Sequence, residues 1–330
     1  MKKDTTLRPL RTVLIGTSLA AGSDQVVRTG LAVARAAGTR VQLVHAASIE
    51  PRLLQAEAGF GPDFAQKQIA WREDLVREQA RRLGVGDSEL AGISVRPGAP
   101  YRVLTDVARA VTAGLIVVGA SESGGVLLGS TAERVMQKAS CPVLLARGDE
   151  PVPLRRVLAP VDLSTLAADA FRCGLRLLSR LAEDGEVKVR VVYAASFLDT
   201  LAVQHQSFGE ISLEQVESYD AKELRRFVLE NRAEASFDME TAVLSGEARF
   251  EILHELSEHP VDLVMLGTHG RGGLDRLVVG SVASTIARKA PCSVLLISPE
   301  AVLEEGIAEA ITAQTMPAWH LEPSTARSAS

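Results

Sequence analysis

Gly267-Thr268-His269-Gly270-Arg271-Gly272-Gly273, then Gly280-Ser281-Val282, is the segment of this chain best suited to chemistry. It follows Leu263-Val264-Met265-Leu266, an apolar run of strand character. A strand that runs into a glycine loop and then a helix can hold phosphate, because backbone N–H groups and the helix dipole converge on the anion. Gly267 and Gly270 permit close backbone approach, and Ser281 is a natural N-cap for the following helix. Each well-placed contact there favours an anion by about 0.3–1 kcal/mol. Taken alone, the same glycines are equally compatible with plain turns.

The chain carries this segment twice. Gly119-Ala120-Ser121-Glu122-Ser123-Gly124-Gly125, then Gly129-Ser130-Thr131, follows Leu115-Ile116-Val117-Val118. The copying extends further. Val41 to Ser48 matches Val189 to Ser196, Gly98 pairs with Gly246, and Gly119 with Gly267, an offset of about 148 residues. Beyond the loop Gly129-Ser130 pairs with Gly280-Ser281 and Cys141 with Cys292, so the first loop is about 3 residues shorter. At the front, Leu10 to Leu14 pairs with Leu154 to Leu158. A period this long marks duplicated domains, since solenoid units run to about 20–50 residues. The expected organisation is a first domain over 1–148, a linker over 149–155, a second domain over 156–298 and a tail over 299–330. Asp149-Glu150-Pro151-Val152-Pro153 supplies the polar, proline-rich linker.

These loops need elements to position them. In the first half, strand-like runs fall at 12–15, 41–45, 92–95, 115–118 and 143–145. In the second they fall at 157–161, 187–193, 239–244, 263–266 and 293–297. Helical patterns lie between them. Near-continuous apolar strands alternating with helices predict a parallel sheet covered on both faces, an α/β doubly wound fold in each half. The last strands, 143–145 and 294–297, have edges that need cover, so the halves are expected to pack as an internal pseudo-dimer. Residues 49–62 and 197–212 read as loops leaving the sheet edge. Leu303, Ile307 and Ile311 suggest a short tail helix, and 317–330 a disordered end.

Composition sets outer bounds. The 330 residues are 46% hydrophobic and 23% charged, which suits soluble globular domains. A net charge of −5 argues against a general nucleic-acid binder. No run approaches the about 18 apolar residues of a membrane span. Three cysteines, Cys141, Cys173 and Cys292, read as buried thiols in a reducing cytoplasm. His45, His254, His259 and His320 show no metal-ligand spacing, and no nucleophile elbow or Cys-x-x-Cys occurs. The mixed-sign stretch from Trp71 to Arg82 reads as a solvated helix face.

Gly267-x-x-Gly270, nine residues, then Gly280-Ser281 resembles the nucleotide loop of the universal stress protein family. The resemblance covers residues 8 to 298 in two tandem copies. It includes Val161-Asp162-Leu163-Ser164 at the end of a first strand, and the turns Gly98-Ala99-Pro100 and Gly246-Glu247-Ala248. What it implies is a cytoplasmic, stress-associated protein that binds ATP, with Mg²⁺, in its second half only. The site residues carried over are Asp162, Val192, Leu266, Gly267, His269, Gly270, Gly280, Ser281 and Val282. By the same resemblance Asp162 accepts ribose hydrogen bonds, Val192 offers backbone to adenine, and the glycines with the Ser281 and Val282 N–H groups hold phosphates. Family members also pair through the last strand.

The first half departs from the pattern, with Ser18 opposite Asp162 and Glu122 opposite Gly270. A carboxylate repels polyphosphate and its Cβ blocks the backbone. The expected function is therefore an ATP-dependent switch with an unidentified protein partner, compatible with a homodimer and with at most slow hydrolysis. A nucleotide-independent adaptor remains the alternative. A dinucleotide enzyme is disfavoured, because no Gly-x-Gly-x-x-Gly follows either first strand.

Overall fold

The computed structural model describes residues 10–47, 64–120, 128–148, 154–181, 187–195, 213–232, 237–270 and 279–302. The first half runs β1 (Val13–Gly16), α1 (Ser23–Ala37), β2 (Val41–Ala47), α2 (Phe64–Arg82), β3 (Leu90–Pro97), α3 (Pro100–Ala110), β4 (Leu115–Gly119), α4 (Ser130–Lys138) and β5 (Val143–Ala146). The second repeats the order: β6 (Arg156–Val161), α5 (Thr165–Leu181), β7 (Lys188–Ala195), α6 (Leu213–Asn231), β8 (Asp238–Ser245), α7 (Ala248–Glu258), β9 (Leu263–Gly267), α8 (Ser281–Lys289) and β10 (Ser293–Ile297). The expected strands all form, most of them a residue or two longer than their apolar runs. The loops 49–62 and 197–212, the linker residues 149–153 and the tail from 303 onward lie outside the described residues.

The ten strands of the described residues join one sheet in the order β3-β2-β1-β4-β5-β10-β9-β6-β7-β8. Every neighbouring pair is parallel except β5 with β10. Parallel strands need crossovers, and the helices provide them on both faces. One buried layer takes side chains from α1, α2, α5 and α6, among them Val27, Val76, Phe171 and Leu224. The opposite layer takes them from α3, α4, α7 and α8, among them Val107, Val135, Ile252 and Ile286. Both layers continue from one half into the other. Gly38 ends α1 in the left-handed region, at φ 64°, and its N–H returns to the Ala34 and Arg35 carbonyls.

The halves hold their second helix in different ways. In the first, Thr17 Oγ1 donates to Gln79 Oε1 at 2.8 Å, while Gln79 Nε2 donates to Ser23 Oγ at 2.9 Å and Asp24 Oδ1 at 2.7 Å. Arg82 closes the chain on Asp24. That network ties α2 to β1 and α1. In the second half Phe227 stands where the repeat has Gln79, and it packs on Phe171 with ring centroids 5.8 Å apart.

The junction is the expected internal pseudo-dimer. Leu145 pairs with Val294, Leu144 with Leu295 and Val143 with Leu296. Leu144 and Leu295 are repeat equivalents, so a pseudo-two-fold axis passes through that pair. Each half then caps the other's last helix. Arg147 donates through Nη1 to the Ala290 carbonyl at 2.7 Å and through Nη2 to the Ala287 and Arg288 carbonyls at the end of α8. Ser298, its repeat equivalent, donates to the Ala139 carbonyl at the end of α4 at 3.2 Å. Arg288 of α8 also reaches Glu133 of α4 at 2.6 Å. Cationic groups at helix C-termini oppose the negative pole of the dipole. Arg147→Ala removes donors from three carbonyls and is expected to cost about 1–3 kcal/mol in chemical denaturation. Stability equal to that of the unaltered protein would show that these caps contribute nothing.

Candidate functional site

In an open parallel sheet, ligands bind beyond the carboxyl ends of the strands. In the second half, β6, β7 and β9 end together there. The chain leaves β6 through Asp162 and Leu163, and Leu163 sits at φ 62°. A bulky residue in the left-handed region costs about 1–3 kcal/mol and persists only where its surroundings enforce it. The turn is held by the Asp162 carboxylate, which accepts from Ser164 N at 3.0 Å and Ser164 Oγ at 2.6 Å. Ser164 Oγ in turn accepts from Ala167 N at 3.1 Å, capping α5. One short sequence thus starts a helix and fixes a carboxylate at the strand ends.

The loop after β9 closes on that carboxylate. A Cβ added at Gly270 would run into Asp162 Oδ2, while the Gly270 backbone is outside the left-handed region. Space, not backbone conformation, therefore favours glycine here, since a Cβ would displace the tip of the Asp162 side chain. Thr268 is 1% exposed, its hydroxyl lies 2.8 Å from His269 Nδ1, and its carbonyl accepts from Gly280 N at 2.7 Å. The other ring nitrogen of His269, Nε2, is buried with no hydrogen-bond partner among the described residues. Gly280 occupies the N-cap position of α8 and no side chain caps the helix. The expectation that Ser281 is the N-cap is thus corrected. Ser281 is the first helical residue, because the extended backbone at Gly280 makes that residue the N-cap and starts the helix one residue earlier than expected. Its first-turn N–H groups remain available to an anion.

These groups surround a cavity of about 450 Å³. Asp162, Leu266, Gly267, His269, Gly270, Gly280, Ser281 and Val282 all line it. Val192 does not. It is 1% exposed within the sheet, paired with Pro160 on one side and Ala242 on the other. The wall at that point is Tyr193 and Ala194. Thr268 and Ile252, which sequence reasoning passed over, also line the wall. Thr268 lies inside the glycine segment, and Ile252 one turn along the helix that follows the Gly246 turn.

Among the described residues no His, Cys, Asp or Glu cluster could hold a metal, and no helix is long and apolar enough to cross a membrane. Cys141 and Cys173 are buried, and burial pushes the half-buried Cys292 thiol up to about 11. In the first half Leu19, the counterpart of Leu163, is also at φ 62°, so the strained turn is kept. Ser18 stands in place of Asp162, exposed and with its Oγ 3.4 Å from Ala20 N. Glu122 lies outside the described residues.

Comparison with known proteins follows the same division. The model of the universal stress protein family matches residues 9–147 and again 153–298. A universal stress protein of Mycolicibacterium smegmatis is 26% identical over 302 residues, which is 87% of this chain and 97% of that relative. The crystal structure of a universal stress protein from Archaeoglobus fulgidus superposes with a TM-score of 0.61 at 16% identity, over 87% of this chain and 96% of the other. A protein of unknown function from Pseudomonas aeruginosa does so with a TM-score of 0.60 at 16% identity, over 93% of this chain and all of the other. At that identity the structural likeness is one of fold.

The contact between Gly270 and Asp162 generates a test by double-mutant cycle. Gly270→Ala is expected to destabilise by about 1–3 kcal/mol through overpacking. In an Asp162→Ala background the same substitution becomes neutral, or stabilises by about 0.4–1 kcal/mol through reduced unfolded-state entropy. Thermal denaturation of the four proteins reads the coupling, and additive effects would contradict the packing described.

Proposed function

The chain belongs to the universal stress protein family, and from that premise we propose that its second half binds one ATP and acts as a nucleotide-dependent switch in a cytoplasmic stress response. The observation that carries this reading is the packing of Gly270 against the Asp162 carboxylate. It sets a hydrogen-bond acceptor for ribose hydroxyls directly beside the glycine loop that would hold phosphates. The donors fit as well. The uncapped start of α8 supplies N–H groups at Ser281 and Val282, the Gly280 N–H being taken by the Thr268 carbonyl. His269 Nε2, buried without a partner among the described residues, is a further polar atom that a ligand would satisfy. A cavity of about 450 Å³ lies within the range of small-molecule sites.

Each residue has a physical role in this proposal. Asp162 would accept from ribose, and the β7 end at Tyr193 and Ala194 would meet the base. Leu266 and Ile252 would supply apolar contact. Mg²⁺ would arrive with the phosphates, since the protein offers only Asp162 among the cavity's described carboxylates. No residue is assigned as a general base, so binding rather than turnover is the proposed activity. Phosphates bound at the start of α8 would change the charge of the surface that a partner protein meets.

The first half is proposed to lack ATP binding. Ser18 offers one neutral hydroxyl in place of a charged two-oxygen acceptor, and the sequence there carries Glu122 where the second half has Gly270. Titration calorimetry with ATP and Mg²⁺ tests the reading. Asp162→Ala is expected to weaken binding by about 1–3 kcal/mol, the worth of a charged hydrogen bond. Gly270→Glu is expected to abolish binding while the chain still unfolds cooperatively. Unchanged affinity in Gly270→Glu would overturn the assignment, and no binding by the unaltered chain would favour the adaptor alternative.

A further inference from the structure

The first half keeps a cavity of about 460 Å³ at its own strand ends, as large as the second, but with different chemistry on its walls. The second cavity has the Asp162 carboxylate and no lysine or arginine on its described wall. The first has the Arg72 guanidinium and no carboxylate on its described wall. Trp71, His45 and Thr131 also line it. Their repeat counterparts are Asp220 for Arg72, Tyr219 for Trp71, Tyr193 for His45 and Val282 for Thr131. The sequence reading of 71–82 as a solvated face holds for its far end, but α2 turns Trp71, Arg72 and Leu75 onto the cavity wall.

Three groups there are underused. Among the described residues Arg72 bonds through Nη1, to the Gln68 carbonyl at 3.1 Å and Gln68 Oε1 at 2.8 Å, and forms no ion pair there. Trp71 is 55% exposed, with the Arg72 guanidinium carbon 5.3 Å from its ring centroid. His45 is 8% exposed, and its Nδ1 lies 2.9 Å from the Thr17 carbonyl. A carbonyl only accepts, so Nδ1 carries the proton. Burial, against the opposing Thr17 hydrogen bond and with the nearby Arg72 cation, holds the ring below its ordinary pKa, which favours the neutral form with Nε2 as an acceptor.

These groups are also held in place. Gln79, two helical turns along α2 from Arg72, is the centre of the buried network to Thr17, Ser23 and Asp24. A wall fixed before binding spares a ligand the entropy of ordering it. The cation lies on α2, which belongs to the face opposite α4. An anionic group would therefore sit at the end of the cavity remote from the start of α4, where a nucleotide's phosphates would be expected.

We propose that the first-half cavity is a separate ligand site for a small aromatic carboxylate bearing a hydroxyl donor on its ring. The carboxylate pairs with Arg72, the ring lies against Trp71, and the hydroxyl donates to His45 Nε2. The proposal does not depend on the nucleotide reading of the second half. Titration calorimetry of the full chain with 4-hydroxybenzoate and 6-hydroxy-2-naphthoate tests it. The naphthoate is expected to bind once per chain, with a dissociation constant below about 1 mM and tighter than the benzoate, because the cavity has room for two rings. Arg72→Gln is expected to weaken it by about 10-fold or more, and Trp71→Ala, at a half-exposed position, to weaken it independently. ATP with Mg²⁺ is expected not to displace it. Binding of neither acid, affinity unchanged in both variants, displacement by ATP, or a preference for AMP over both acids would each overturn the proposal.

Discussion

The antiparallel pairing of β5 with β10 is the constraint on which the rest of the molecule depends. All other neighbours in the sheet are parallel, so this one junction sets the two sets of strands running in opposite directions. Their carboxyl ends, and with them the two cavities, lie at opposite edges of a continuous sheet. The same pairing removes two hydrophobic sheet edges that would otherwise template association with other chains. It also lets each half cap the last helix of the other, through Arg147 at the end of α8 and Ser298 at the end of α4, while Arg288 in the last turn of α8 pairs with Glu133 in the first turn of α4. Each of those helices starts at a cavity and ends at the junction.

Within this shared frame the two halves have diverged at their walls rather than in their skeleton. Leu19 and Leu163 hold the same strained backbone, so both first strands end in the same turn. What that turn presents differs. In the second half it is a carboxylate braced by Ser164 and packed against Gly270. In the first it is the Ser18 hydroxyl, and the polar investment moves to the Thr17–Gln79–Asp24 network that fixes α2. The cavities are nearly equal in size, so the difference between them is one of charge and hydrogen bonding, not of available volume.

Much of this was legible in the sequence because of buried parallel strands. Runs such as Leu115 to Val118 and Leu263 to Leu266 are apolar on both faces, and duplication fixed their correspondence. The pseudo-dimer followed from the unsatisfied edges of the last strands. Three features were not legible, each for a physical reason. Trp71 and Arg72 belong to a mixed-sign helix whose periodicity does not say that its first turns meet a cavity. The start of α8 depends on extended backbone at Gly280, which composition does not reveal. Val192 lies one residue short of the cavity wall, and a strand's apolar run does not mark where its ladder ends and its ligand-facing end begins.

The central claim is that a symmetric skeleton carries one nucleotide site, in the second half. Native mass spectrometry of the protein purified without added nucleotide, then with ATP and Mg²⁺, measures occupancy chain by chain. The account predicts saturation at one ATP per chain, lost in Gly270→Glu. Two bound nucleotides per chain, or one that survives Gly270→Glu, would contradict it.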